Sequence, residues 1–129
     1  MNDEYTFFEF ENFVSPPKIY RLDPRTFKYK LFWQMKLLGY EDGQLTTSLK
    51  FFPSKDGTNI PIHISHQTGL AIDNNTPVLL YGYGGFNISI LPSFSKTFYT
   101  WMKQGGVLAV VNLRGGAEYG DKWHQDGML

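Results

Sequence analysis

The chain has 129 residues, room for one ordinary domain or for parts of two. Twelve Lys plus Arg balance twelve Asp plus Glu, which argues against a nucleic-acid or anionic-membrane surface, since both need clustered basic charge. No apolar run approaches the roughly 20 residues that cross a bilayer, and zero Cys removes disulfides, thiol nucleophiles and cysteine-held zinc. The first residues carry acids where an export signal would carry Lys or Arg, so a cytoplasmic location is expected.

Aromatic residues make up 17% of the chain, and 13 Gly with 7 Pro add many turns. From residue 4 to residue 38 the pattern is short and strand-like. Strands are predicted over Tyr5–Phe10, Lys18–Leu22 and Phe27–Leu37, broken by Pro16-Pro17 and by the turn Asp23-Pro24-Arg25. These fit either most of one β-propeller blade or a generic antiparallel meander. Polar, turn-prone Gly39–Gly43 then marks a boundary, giving one unit over 1–39 and a second over 40–129.

In the second unit, Leu45–Phe52 and Thr58–Ser65 read as a hairpin turning at Ser54–Gly57, with Asp-Gly at its tip. Ile60, Ile62 and Ile64 share one face, and Pro61, His63 and Ser65 share the other. Pro61 cannot donate to a ladder, which predicts an edge strand. Val78–Tyr81 and Val107–Val111 are continuous apolar runs, the mark of parallel strands covered on both faces. Between them a helix is predicted over Ser93–Gln104. Ser93 is its cap, Gly105-Gly106 its end, and Phe94, Phe98 and Trp101 its apolar stripe. Strand, Gly-rich loop, helix and strand make a βαβ unit, so this half is α/β.

The loop after the first parallel strand, Gly82-Tyr-Gly-Gly-Phe-Asn87, sits where ligands bind in open α/β sheets. Three readings suit it: a phosphate cradle, an oxyanion loop, or a glycine-rich turn holding two aromatics. The phosphate reading lacks the spacing of a dinucleotide fingerprint and the GK[ST] ending of a P-loop. Arg114-Gly-Gly-Ala-Glu-Tyr-Gly reads as a strand exit bending into a helix. Ala117 there would be strained if its position required a positive φ. The basic residues from Lys18 to Lys36 spread over strands as a solvated face.

Three collinear stretches carry a resemblance: FFPSKDGTNIPI, TPVLLYGYGGFNISILPSFS and GGVLAVVNLRGGAEYGDKWHQDGM. Together they resemble the prolyl oligopeptidase (prolyl endopeptidase) family of serine peptidases, strongly over about 45–129 and more weakly before. The resemblance implies the end of a β-propeller followed by the N-terminal part of an α/β-hydrolase domain. It implies a hydrolase that cleaves short proline-containing peptides after proline through an acyl-enzyme. Such an enzyme works with no metal or cofactor, and as a monomer when complete. Tyr83 falls on the tyrosine whose hydroxyl forms half of the family's oxyanion hole. Phe86 falls on the phenylalanine lining the proline pocket. A phenol keeps its proton at neutral pH and can donate, and an aromatic face covers a proline ring without demanding a hydrogen bond.

The family's serine sits in a glycine-flanked elbow, and no Gly-x-Ser-x-Gly occurs in this sequence. Its serine, aspartate and histidine all lie downstream of the Arg-Gly-Gly motif. The chain is therefore expected to be a fragment cut before the elbow, with no nucleophile, acid or base of its own, and inactive alone. His63, His66 and His124 read as packing or surface residues and do not fill that gap. The rival expectations are a non-catalytic peptide-binding or regulatory remnant and an incomplete gene model.

Overall fold

In the computed structural model, which describes residues 5–128, the two halves of the sequence form two sheets. The acidic opening residues and Leu129 lie outside the described residues. The first sheet is antiparallel, in the order β1 (Thr6–Phe10), β2 (Lys18–Leu22), β3 (Tyr29–Gln34). Cross-strand rings hold it together: Phe7 meets Phe32 edge-on at 5.0 Å, and Phe8 stacks on Tyr20 at 5.3 Å. β3 begins two residues later than predicted because Phe27 closes the preceding turn. Its φ is 54°, its N–H donates to the Asp23 carbonyl, and the Asp23 N–H donates to the Lys28 carbonyl. β3 also ends three residues early. The chain then turns so that Tyr40 N–H reaches the Leu37 carbonyl, and Leu37 packs on the core of the second unit.

The second sheet contains β4 (Leu45–Pro53), β5 (Asn59–Gln67), β6 (Val78–Tyr83) and β7 (Val107–Asn112) in the order β4-β5-β7-β6. β4 and β5 form the predicted hairpin. β6 and β7 run parallel, joined through α1 (Lys96–Lys103), as a βαβ unit requires. The short helix α2 (Asp121–Gln125) follows β7. No helix among the described residues is long and apolar enough to cross a membrane.

Three local expectations change. β5 is an interior strand, paired with β4 on one side and β7 on the other. Pro61 is tolerated there because the β7 ladder covers only Ile62 to Ser65 and stops one residue short of it. β7 is buried along its whole length, as its apolar run predicts, but among the described residues β6 lies at the edge of the sheet, with Val78, Leu80 and Tyr81 exposed. The helix starts at Lys96, and its cap is Ser95, not Ser93. Ser95 has extended φ and ψ, and its hydroxyl accepts the Phe98 N–H at 3.4 Å. Tyr99 and Met102 are the buried helix residues, while Phe94, Phe98 and Trp101 flank the core half-buried.

That core is completed from the other half of the chain. Asn12 Oδ1 accepts the N–H groups of Val14 and Ser15, and the resulting turn drives Phe13 among Leu45, Tyr99, Met102, Leu108 and Val110. Beside it, Lys18 on β2 pairs with Asp42 at 2.7 Å. The Tyr40 hydroxyl donates to Asp42 Oδ1 at 3.0 Å and to the Val14 carbonyl at 3.3 Å. Burial, reinforced by the Asp42 carboxylate, pushes the Tyr40 phenol up to about 12.

Candidate active-site loop

β6 ends at Tyr83, whose register partner is Asn112, the last residue of β7. The two loops that follow these strands therefore leave the same end of the sheet side by side, at the position where α/β proteins hold ligands. They touch backbone to backbone. A Cβ on Gly84 would stand 2.5 Å from the Arg114 carbonyl oxygen and 2.6 Å from Leu113 Cβ. A Cβ on Gly115, at φ 100°, would strike the Gly84 carbonyl oxygen in return. Only a pair of glycines allows this approach.

Past Gly84 the chain turns through two left-handed residues, Phe86 at φ 53° and Asn87 at φ 56°. Asn accepts this conformation readily, but Phe does not, so the surroundings must hold Phe86 in it. They do so with backbone bonds: Asn87 N–H donates to the Gly115 carbonyl, and Ile88 N–H to the Gly85 carbonyl, both at 3.1 Å. The outcome is a Phe86 ring 86% exposed, an apolar face presented to solvent at the mouth of the loop.

Tyr83 is half-buried, and its phenol tip stands over Gly85, 3.7 Å from where a Cβ would be. Tyr99 spends its hydroxyl on the Gly39 carbonyl, as Tyr40 does on Val14 and Asp42. The Tyr83 hydroxyl has no such bond among the described residues, which leaves a hydroxyl donor available on the same loop as the Phe86 face.

The second loop is braced in turn. Trp123 Nε1 donates to the Leu113 carbonyl at 3.1 Å, Gly115 N–H donates to the Trp123 carbonyl at 2.9 Å, and His124 Nδ1 lies 2.7 Å from the Gly115 carbonyl. Arg114 reaches away from the loop to the β4–β5 turn, where it meets Asp56, Ser54 and Thr58. The Thr58 backbone N–H and then the Arg114 guanidinium lower the Asp56 carboxyl to about 2. Arg114 thus has a structural partner, in keeping with its reading as part of a strand exit. Ala117 is not strained: positive φ at non-glycine positions is confined, among the described residues, to Phe27, Phe86 and Asn87.

Glu118 and Asn112 escaped the sequence reading. Glu118 Oε1 accepts the Ile90 N–H at 2.9 Å and Asn112 Nδ2 at 3.1 Å, while the same Nδ2 donates to the Ile90 carbonyl at 2.9 Å. A carboxylate six residues after a buried asparagine was the signal available, and nothing in the spacing tied either residue to Ile90. None of the three histidines faces the Tyr83–Phe86 loop through a ring contact or bond among the described residues. His63 packs on Phe13, His66 Nδ1 lies 2.8 Å from the Gln67 carbonyl, and His124 braces Gly115.

Comparison with known proteins agrees with this fold. A model of the prolyl oligopeptidase family matches residues 92–129. The chain is 40% identical to the prolyl endopeptidase of Elizabethkingia meningoseptica over 94% of its own length and 17% of that protein's. A solved prolyl endopeptidase, also 40% identical, superimposes with a TM-score of 0.84 over 96% of this chain and 18% of that one. Prolyl oligopeptidase B from Galerina marginata, solved with a 25mer macrocyclization substrate, gives 0.87 at 31% identity, over 96% and 18% of the two chains. The chain thus spans less than a fifth of the length of the relatives it matches.

Proposed function

Because this chain belongs to the prolyl oligopeptidase family, we propose that it supplies the oxyanion loop and one wall of the proline pocket to a serine endopeptidase acting on short peptides. In this reading residues 1–39 are part of the last propeller blade and 40–129 open the α/β-hydrolase domain. The enzyme is cytoplasmic, works without metal or cofactor, and draws its serine, aspartate and histidine from outside these 129 residues.

One observation carries the reading: a single loop at the end of β6 presents a phenol hydroxyl without a partner among the described residues and an exposed phenyl ring, on a backbone held by the loop beside it. When a serine oxygen adds to the peptide carbonyl, negative charge collects on the carbonyl oxygen. The Tyr83 hydroxyl donates to that oxygen. Its placement costs nothing at the moment of reaction because the ring already rests on Gly85. Phe86 covers the ring of the proline whose carbonyl is attacked, placing the scissile bond in line with the donor. The peptide substrate held by the Galerina marginata relative supports the substrate class.

The test is Tyr83→Phe in the peptidase completed by its triad. Phenylalanine keeps the ring and deletes only the donor, so kcat falls by about 10²–10³ and KM changes little. Phe86→Ala is the contrast, raising KM. If Tyr83→Phe leaves kcat within about threefold of the parent, Tyr83 is only a packed aromatic.

A further inference from the structure

Half-buried Glu118 presents a carboxylate with one oxygen doubly engaged and the other buried without any partner among the described residues. Such a group is uncommon in a folded protein and calls for a reason. Its environment is made for it. A Cβ on Gly116 would collide with Glu118 Oε2 and would stand 2.9 Å from the Ile88 carbonyl oxygen. Gly116 has no positive φ, so its missing side chain serves space and not backbone conformation. The room it leaves is filled by the carboxylate.

The engaged oxygen acts on the candidate loop. Ile90 is held by both of its backbone groups: its N–H by Glu118 Oε1 and its carbonyl by Asn112 Nδ2. Asn112 itself is bonded to the same Oε1, is 5% exposed, and sits opposite Tyr83 in the β6–β7 ladder. One end of the segment from Tyr83 to Ile90 is therefore fixed by the sheet and the other by this clamp. Between these two anchors lie the left-handed residues Phe86 and Asn87.

We infer that Glu118 is a positioning residue, which acts through Ile90 and Asn112 to set where the Tyr83 hydroxyl and the Phe86 ring stand. The inference rests on the proposed role of Tyr83 and Phe86. What matters is the reach of the accepting oxygen, not the charge. Glutamine keeps an oxygen at the same reach from Ile90 and Asn112, and puts its amide nitrogen at the position of the Oε2 that makes no bond. Aspartate keeps the charge but is one methylene too short.

The experiment compares Glu118→Gln and Glu118→Asp in the triad-bearing peptidase, with Tyr83→Phe alongside. Glu118→Gln keeps kcat within about threefold of the parent, while Glu118→Asp loses roughly 10–100-fold, the scale of a misplaced catalytic group. Amide hydrogen exchange at Ile90, measured against Leu108 in the same samples, accelerates in the Asp variant and not in the Gln variant. Equal kcat for the Asp variant and the parent, or equal protection of Ile90 in both, overturns the clamp. Because exchange needs no turnover, it judges the clamp even if Tyr83→Phe proves silent, an outcome that would remove only the oxyanion reading.

Discussion

Phe13 and His63 pack ring against ring, with centroids 5.2 Å apart and planes tilted by 58°. The contact joins the turn after β1 to the middle of β5. Burial lowers the His63 imidazole below its ordinary 6.5. Folded His63 takes up its proton at a lower pH than the unfolded chain does, so the unfolded state binds more protons just below pH 6.5. Stability is full above that pH and falls as pH drops through the folded value. Urea melts between pH 7.5 and 5 measure the effect, and His63→Gln flattens the profile in that window. Asp56, lowered to about 2, loses its share only far below this range and does not overlap. An unchanged profile in His63→Gln refutes the assignment.

Phe13 is 3% exposed in the core it shares with Leu108 and Val110. Phe13→Ala leaves a cavity and costs about 3–5 kcal/mol, as large-to-small aromatic changes in cores do. It also weakens the pH dependence above, since His63 loses its cover. Equilibrium denaturation reads both effects, and a loss under about 1 kcal/mol would mean that the turn closes over the gap.

The glycines of the loop differ in what they tolerate. At Gly84 an added methyl meets the Arg114 carbonyl and Leu113 Cβ, neither of which can move alone. At Gly82 it meets the flexible end of Leu113 at 3.3 Å. Gly84→Ala is therefore expected to cost about 1–3 kcal/mol and Gly82→Ala clearly less. Thermal melts of the two variants decide it, and the reverse order would contradict the backbone contact between the loops.

The 129-residue chain alone is expected to turn over no peptide. Its loop can stabilise charge, but no serine here lies in a Gly-x-Ser-x-Gly elbow. A proline-directed fluorogenic peptide and a fluorophosphonate probe provide the measurement. Stoichiometric labelling of the purified chain would disprove the expectation.

What could be read from the sequence was local. The β4–β5 hairpin is legible because its turn chemistry and period-two pattern lie within about 20 residues. The βαβ unit is legible because its loop, helix and strands follow one another in sequence. Pro61 was misplaced because β5 meets β7 across more than 40 residues, a pairing to which no pattern in β5 points. The run Val78–Tyr81 advertises what a strand can bury, and among the described residues β6 lies at the edge of the sheet. Ser93 and Ser95 are equally good caps by residue type, and only backbone geometry separates them. Phe13 sits in a polar turn with no periodicity, and Glu118 in a motif read as a bend. The role of each depends on residues brought close by folding.

The dependence of Phe13 on β7 also sets an order of events during synthesis. The residues that enclose it at Leu108 and Val110 are made about 95 residues after it. At about 5–20 residues per second, Phe13 waits roughly 5–20 s for its site to exist. β4 and β5 can close as soon as both emerge, but the aromatic strands β1 to β3 stay tethered to an unburied anchor throughout. Phe13 is thus among the last core residues of these 129 to be locked down, although it precedes the other residues of its cluster in sequence.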